Sequence, residues 1–201
     1  MAVKASRQAE RSDATRAALV AAATPLFASR GFAGVGTEEI VRAAGVTRGA
    51  LYHHFAGKIE LFAAVAETTE ARLVERIATS AIATASDPLS ALRAGAAAML
   101  DEAARDEAVR RIVLSDAPSV LGWEAWREIL QRYGLGLIQA TLQAAMDAAQ
   151  IGVVPVAPLA HLLSGALSEA AHFVARAGDP ESARAEVQAA VDRLLDGLRA
   201  G

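Results

Sequence analysis

The sequence has no cysteine. That removes thiolate catalysis, cysteine-ligated zinc and a disulfide-stapled secreted scaffold, and it fits a reducing cytoplasm. Strand signals are nearly missing too: the one β-branched run, Ile151 to Val156, contains Pro155 and reads as a connector. Residues 148–168 hold no acid or base, yet Gln150, Pro155, Pro158 and His161 interrupt them. A loop followed by a buried helix accounts for this better than a membrane span. The start, MAVKASRQAERSDATR, lacks the apolar core of a secretory signal. A cytoplasmic protein without membrane association is expected. Catalytic patterns are equally scarce: there is no Ser-His-Asp order, phosphate-binding glycine loop or dinucleotide fingerprint. Glu169 and His172 have the E-x-x-H spacing of helical di-iron sites, but the second copy which that chemistry needs is absent. No metal, no cofactor and no catalytic residue is expected.

What is present is an alanine-rich chain of 201 residues, 53% apolar, enough for one or two domains with a core that needs no staple. Its net charge of −3 hides an asymmetry. The first 60 residues carry eight bases and five acids, whereas the rest carry twelve and eighteen. A basic end on an acidic chain suits contact with a polyanion at that end alone. Apolar spacing is helical almost throughout, predicting an all-α fold of about nine helices. The first is expected from an N-cap at Ser12 or Asp13 to Arg30, stopped by Gly31 and disturbed at Pro25. Thr37 and Thr47 are expected to cap two short helices. Longer helices follow from Lys58 to about Thr84 and from Asp87-Pro88 onward, and a shorter one covers Asp106 to Leu114, broken by Ser115 to Pro118. Three more are expected over about 122–149, 158–177 and 179–198.

From Thr37 to Phe55 the sequence TEEIVRAAGVTRGALYHHF has the form of a helix-turn-helix. Ile40, Val41, Ala44, Val46, Leu51 and Phe55 form a buried wedge that fixes the angle between the helices. Arg48, Gly49, Tyr52 and His53 remain on the outer face of the second helix, which enters a major groove N-terminus first. Arg48 can donate two parallel hydrogen bonds to guanine, and Gly49 lets backbone approach the bases. Thr37, Thr47, His54 and Lys58 lie at helix ends, where hydroxyls, backbone N–H groups and cations hold phosphates. Residues 14–62, with Gly31-Phe32, Thr37, Ala44 to Val46, Leu51 to Phe55 and Lys58 in order and spacing, resemble the N-terminal DNA-binding domain of the TetR/AcrR family of bacterial transcriptional regulators.

The resemblance implies a homodimeric repressor that reads a palindromic double-stranded DNA operator and is released by a small-molecule effector. It implies a three-helix DNA-binding domain over residues 1–57 and a helical ligand-binding and dimerisation bundle over 58–201. Glu38 departs from the pattern, standing where a residue that reaches DNA is often neutral or basic. In the C-terminal part, Trp123, Trp126, Leu130, Tyr133 and Leu137 share one face at 3.6-residue spacing. That stripe reads either as core or as the wall of an apolar pocket, and Met99, Trp126, Tyr133 and Leu137 are the candidate ligand-binding residues. A helical-bundle enzyme or small-molecule carrier using the same face is the alternative. Ala183, Val187, Ala190, Val191, Leu194 and Leu195 offer a helix face for dimer contacts, while His161, Glu169 and His172 fit pocket, interface or solvent equally.

Overall fold

The computed structural model describes residues 2–199, with side chains from Arg11 to Arg199. The elements are α1 (Ala2–Arg30), α2 (Thr37–Ala43), α3 (Arg48–His54), α4 (Lys58–Ile77), α5 (Pro88–Arg105), α6 (Ala117–Leu121), α7 (Trp123–Leu130), α8 (Gly136–Asp147), α9 (Val156–Arg176) and α10 (Pro180–Asp196). Three wide π-type segments join some of them: Ala78–Ile82 extends α4, Val109–Asp116 leads into α6, and Gln131–Leu135 links α7 to α8. No strand occurs among the described residues beyond an isolated bridge between Ile151 and Arg199.

Local chemistry explains most of the boundaries. Gly31 adopts a left-handed φ of 70° and ends α1, and a Cβ there would lie 2.6 Å from the Arg111 guanidinium. Gly45, at φ 66°, makes the turn between α2 and α3. Thr47 caps α3, its hydroxyl accepting from the Ala50 N–H at 3.2 Å. Asp87 and Asp179 do the same for α5 and α10, each followed by a proline in the first turn.

Four expectations need correcting. Helix α1 begins at Ala2, a full ten residues before the expected cap, and it continues through Pro25. Thr37 is the first residue of α2, not its cap; Gly36 holds the cap position. Ser115 to Pro118 does not break the chain, which stays helical through Val109–Asp116 into α6. The wider π coil gives the Pro118 ring room beside the preceding turn, relieving the clash that proline causes in a regular helix. On α10, Ala183, Val191 and Leu195 face inward, Val191 and Leu195 packing with Ala96 of α5, so half of the expected contact face is core while Ala190 and Leu194 stay exposed.

The main core runs without a break from Leu19 in α1 to Val174 in α9. At its N-terminal end sit three rings. Phe62 of α4 meets Phe27 of α1 edge-on at 5.1 Å and Phe32 of the α1–α2 loop at 5.2 Å, while Phe27 and Phe32 stack at 6.0 Å. Such pairs add to the burial energy of the rings themselves. Phe62→Ala is expected to cost about 3–5 kcal/mol, since the ring is fully buried and the cavity it leaves cannot readily collapse between α1, α4 and the loop after α1. A urea midpoint unchanged from the parent protein would contradict this.

Candidate DNA interface and ligand cavity

The expected wedge is present. Ile40, Val41, Leu51 and Phe55 are buried, and Ala44 and Val46 pack against them. With that face used, α3 turns Arg48, Gly49, Tyr52 and His53 outward together with Thr47, all exposed, while Thr37, His54 and Lys58 are half-buried. Seven of these eight residues thus belong to α2, α3 and the turn before α3. Lys58 stands apart in role: its ammonium lies 4.1 Å from the centre of the Phe32 ring. Burial lowers its pKa. It therefore anchors the start of α4 to the loop after α1.

Arg48 is not a free cation. It pairs with Glu38 at 3.5 Å and lies 5.6 Å from the Tyr52 ring centre. Both partners are well exposed, so the pair contributes little to stability. It does hold the guanidinium above the outer face of α3. Glu39, the next acid, pairs with Arg30 at 2.6 Å and ties α2 to the end of α1.

A contact that the sequence pattern did not reveal reaches the same unit from the C-terminal part. The Phe32 N–H donates to Asp116 Oδ2 at 2.6 Å, and Arg111 lies 3.9 Å from that carboxylate. No local spacing links residues 84 positions apart, so only the fold could show it.

Behind this unit, between α4, α5, α8, α9 and α10, lies an apolar cavity of about 110 Å³. Leu73, Ile77, Leu92, Met99, Leu137 and Leu167 supply most of its wall. Met99 and Leu137 are two of the four ligand candidates. Trp126 and Tyr133 lie elsewhere: Trp126 is buried in the main core beside a separate groove, and the Tyr133 hydroxyl donates to Glu67 of α4 at 2.9 Å. The cause is the π turn Gln131–Leu135, which inserts extra chain into the helix and rotates everything after it out of phase with the 3.6-residue stripe. Trp123, first of that stripe, is 64% exposed.

The cavity also contains a residue that sequence reasoning missed. Glu70 of α4 is only 4% exposed, and its Oε2 has no hydrogen-bond partner among the described residues. The signal was available, because Glu70 falls in register with Phe62, Ala66, Leu73 and Ile77, which carry the apolar face of α4. Removal from water disfavours the charged carboxylate and pushes its pKa up to about 7.

The family comparisons agree with this architecture. Residues 19–65 match the family model described as bacterial regulatory proteins, tetR family, and residues 89–198 match the one described as Tetracyclin repressor-like, C-terminal domain. The chain belongs to the TetR family of transcriptional regulators. A solved TetR-family regulator from Pectobacterium atrosepticum is 33% identical over 96% of this chain and 97% of its own, with a TM-score of 0.84. RolR, solved in complex with resorcinol, shares the fold at a TM-score of 0.73 and 20% identity over 92% and 89% of the two chains. Among curated relatives, the transcriptional activator FasR of Mycolicibacterium smegmatis is 34% identical over 104 residues, 52% of this chain and 47% of its own. AcrR of Shigella flexneri is 38% identical over 93 residues, 46% and 42% of the two chains. The matched region thus spans about half the length or less of these curated relatives. The chain is accordingly a TetR-family transcriptional regulator with a DNA-binding helix-turn-helix, in a family of regulators and not of enzymes. No helix among the described residues is long and apolar enough to cross a membrane.

Glu70 gives a pH prediction. The unfolded chain ionises it near 4.5 and the folded chain near 7, so between those values the folded state holds the extra proton. The stability that protonated Glu70 contributes is complete below pH 4.5 and is lost as the pH rises through 7. By about pH 8 the loss is about 3 kcal/mol, because each tenfold difference in proton affinity between the folded and unfolded chain corresponds to about 1.36 kcal/mol. Thermal melts of Glu70→Gln should show a flatter pH dependence across this window and a higher melting temperature at its alkaline end. Parallel curves for the two proteins would contradict the assignment.

Proposed function

We propose that the chain is a homodimeric repressor, held on a palindromic double-stranded DNA operator and released by a small apolar or amphipathic effector bound in the cavity behind α4. Residues 1–57 read the DNA, and residues 58–201 bind effector and partner. Arg48, Gly49, Tyr52 and His53 face bases; Thr37, Thr47, His54 and Lys58 serve the phosphates, Lys58 while it also seats α4 on Phe32.

The observation that carries this reading is the double use of α4. Its first turn packs on Phe32 through Lys58 and Phe62, and its later turns wall the cavity through Glu70, Leu73 and Ile77. A molecule entering the cavity cannot leave α4 untouched, and α4 cannot move without shifting the unit that carries α3. An effector releases DNA only by favouring the conformation that does not bind it, each tenfold preference corresponding to about 1.4 kcal/mol per site. Dimerisation is supported by the exposed Leu162 and Phe173 of α9 and Leu194 of α10, large apolar side chains without cover in one chain. Two copies would set two α3 helices about 34–36 Å apart, one turn of DNA, or a multiple of that.

Sequencing DNA captured by the purified protein, followed by a reporter fused to the captured sites, tests the reading directly: expression should rise on deletion of the regulator. A fall would make it an activator. On the captured operator, Arg48→Ala should cost about 1–3 kcal/mol and relax preference at one base pair per half-site. Glu38→Gln should tighten binding by freeing Arg48 and removing a negative charge from the DNA face. Equal losses for Arg48→Ala on operator and random DNA would place Arg48 on phosphate instead.

Sedimentation equilibrium at micromolar concentration should give a dimer, and Phe173→Glu with Leu194→Glu a folded monomer. A monomeric parent protein would count against the two-fold arrangement.

A further inference from the structure

The cavity's chemistry is uneven. Its wall is almost wholly aliphatic, and among the described residues Glu70 is the one ionisable side chain that lines it. The other polar side chains there are the hydroxyls of Thr141, Ser164 and Ser168, and that of Thr141 already donates to the Leu137 carbonyl at 2.8 Å. Glu70 thus borders an apolar space, and its buried Oε2 accepts from none of these hydroxyls nor from any other donor among the described residues. An unpaired buried carboxylate is costly, and a core of this kind would be more stable with an apolar residue in its place.

We propose that the cavity recognises a compact organic ammonium, an apolar skeleton whose N–H donates to Glu70. The inference rests on the reading of this cavity as the effector site and supplies the effector's chemical class. Three comparisons lead to a cation. An anionic ligand would meet Glu70 and no base. A pure hydrocarbon would fill the wall but leave the carboxylate unpaired. A neutral hydroxyl would donate to it but leave its buried charge uncompensated, whereas an ammonium supplies both the hydrogen bond and the opposite charge. Among the described residues, no lysine, arginine or histidine lines the cavity to compete for the carboxylate. The raised carboxyl pKa fits the same picture, because a bound ammonium restores the ionised form that burial disfavours.

Size narrows the class further. An apolar cavity of roughly 150 Å³ admits benzene, so about 110 Å³ suits a skeleton of about six heavy atoms with slight relaxation of Met99. Because Glu70 lies on α4, pairing with the ligand draws directly on the helix that seats the DNA-reading unit.

The test uses two probes of equal size, cyclopentylamine and cyclopentanol, titrated calorimetrically into the full chain near neutral pH. The amine should bind at least tenfold more tightly than the alcohol. Glu70→Gln should bring that ratio to one or below while keeping the alcohol's affinity. A carboxyl 13C titration of the parent protein provides a readout that needs no variant: the group that titrates near neutrality should move to its ionised position with amine and not with alcohol. Equal binding of the two probes, a ratio unchanged in Glu70→Gln, or no amine binding at all would overturn the proposal. Operator release is scored separately. Glu70-dependent amine binding without release upholds the ligand class and refutes the effector reading, whereas release by cyclopentanol alone does the reverse.

Discussion

Three of the five phenylalanines meet at one point, and most of the molecule's geometry is referred to that contact. Phe62 is inserted between Phe27 and Phe32, joining the end of α1, the loop after it and the first turns of α4. Rings packed edge to face admit little sliding. The helix-turn-helix therefore does not hang from a linker; it is cemented to α4 through the same core that continues to Val174. The cation of Lys58 on Phe32 and the carboxylate of Asp116 on the Phe32 N–H close the joint from two further sides. One loop residue is thus held by three parts of the chain.

From that joint, α4 extends as a lever. Lys58 and Glu70 are twelve residues apart, about 18 Å along a helix. A rigid element packed at both ends has two kinds of response to a load: it shifts as a body, or it gives at its weakest turn. The π segment Ala78–Ile82 lies beyond Glu70, on the side away from the DNA-reading unit. Regular α-helix spans the whole path from cavity to Phe32, so a displacement at Glu70 is passed toward α3 with little loss along the way. Coupling of the proposed effector site to the DNA face then needs no moving part other than α4.

Legibility in the sequence follows the regularity of the backbone. The wedge from Ile40 to Phe55, the Thr47 cap and the Asp-Pro starts of α5 and α10 depend on local rules, and each is readable. The stripe from Trp123 to Leu137 is misleading, because arithmetic with 3.6 residues per turn presupposes an unbroken α-helix. One wide turn at Gln131–Leu135 parts Trp126 and Tyr133 from Leu137. The break expected at Ser115 to Pro118 fails for the matching reason, a coil loose enough to carry proline. Glu70 is legible in its apolar register. Asp116 cannot be found by any local pattern, since its partner is 84 residues away.

On α9 and α10, neighbouring residues serve different surfaces. Leu163 lines the cavity, and Leu162 beside it is open on the outer surface; Leu195 lines it, and Leu194 is open. One peptide unit separates the wall of the cavity from the surface proposed for the partner. Whatever swells or tightens the wall also reshapes that surface. Binding free energies coupled in this way are reciprocal, so a dimer would alter each subunit's affinity for ligand as much as ligand alters the dimer. Two cavities back to back across such a seam would not fill independently of one another.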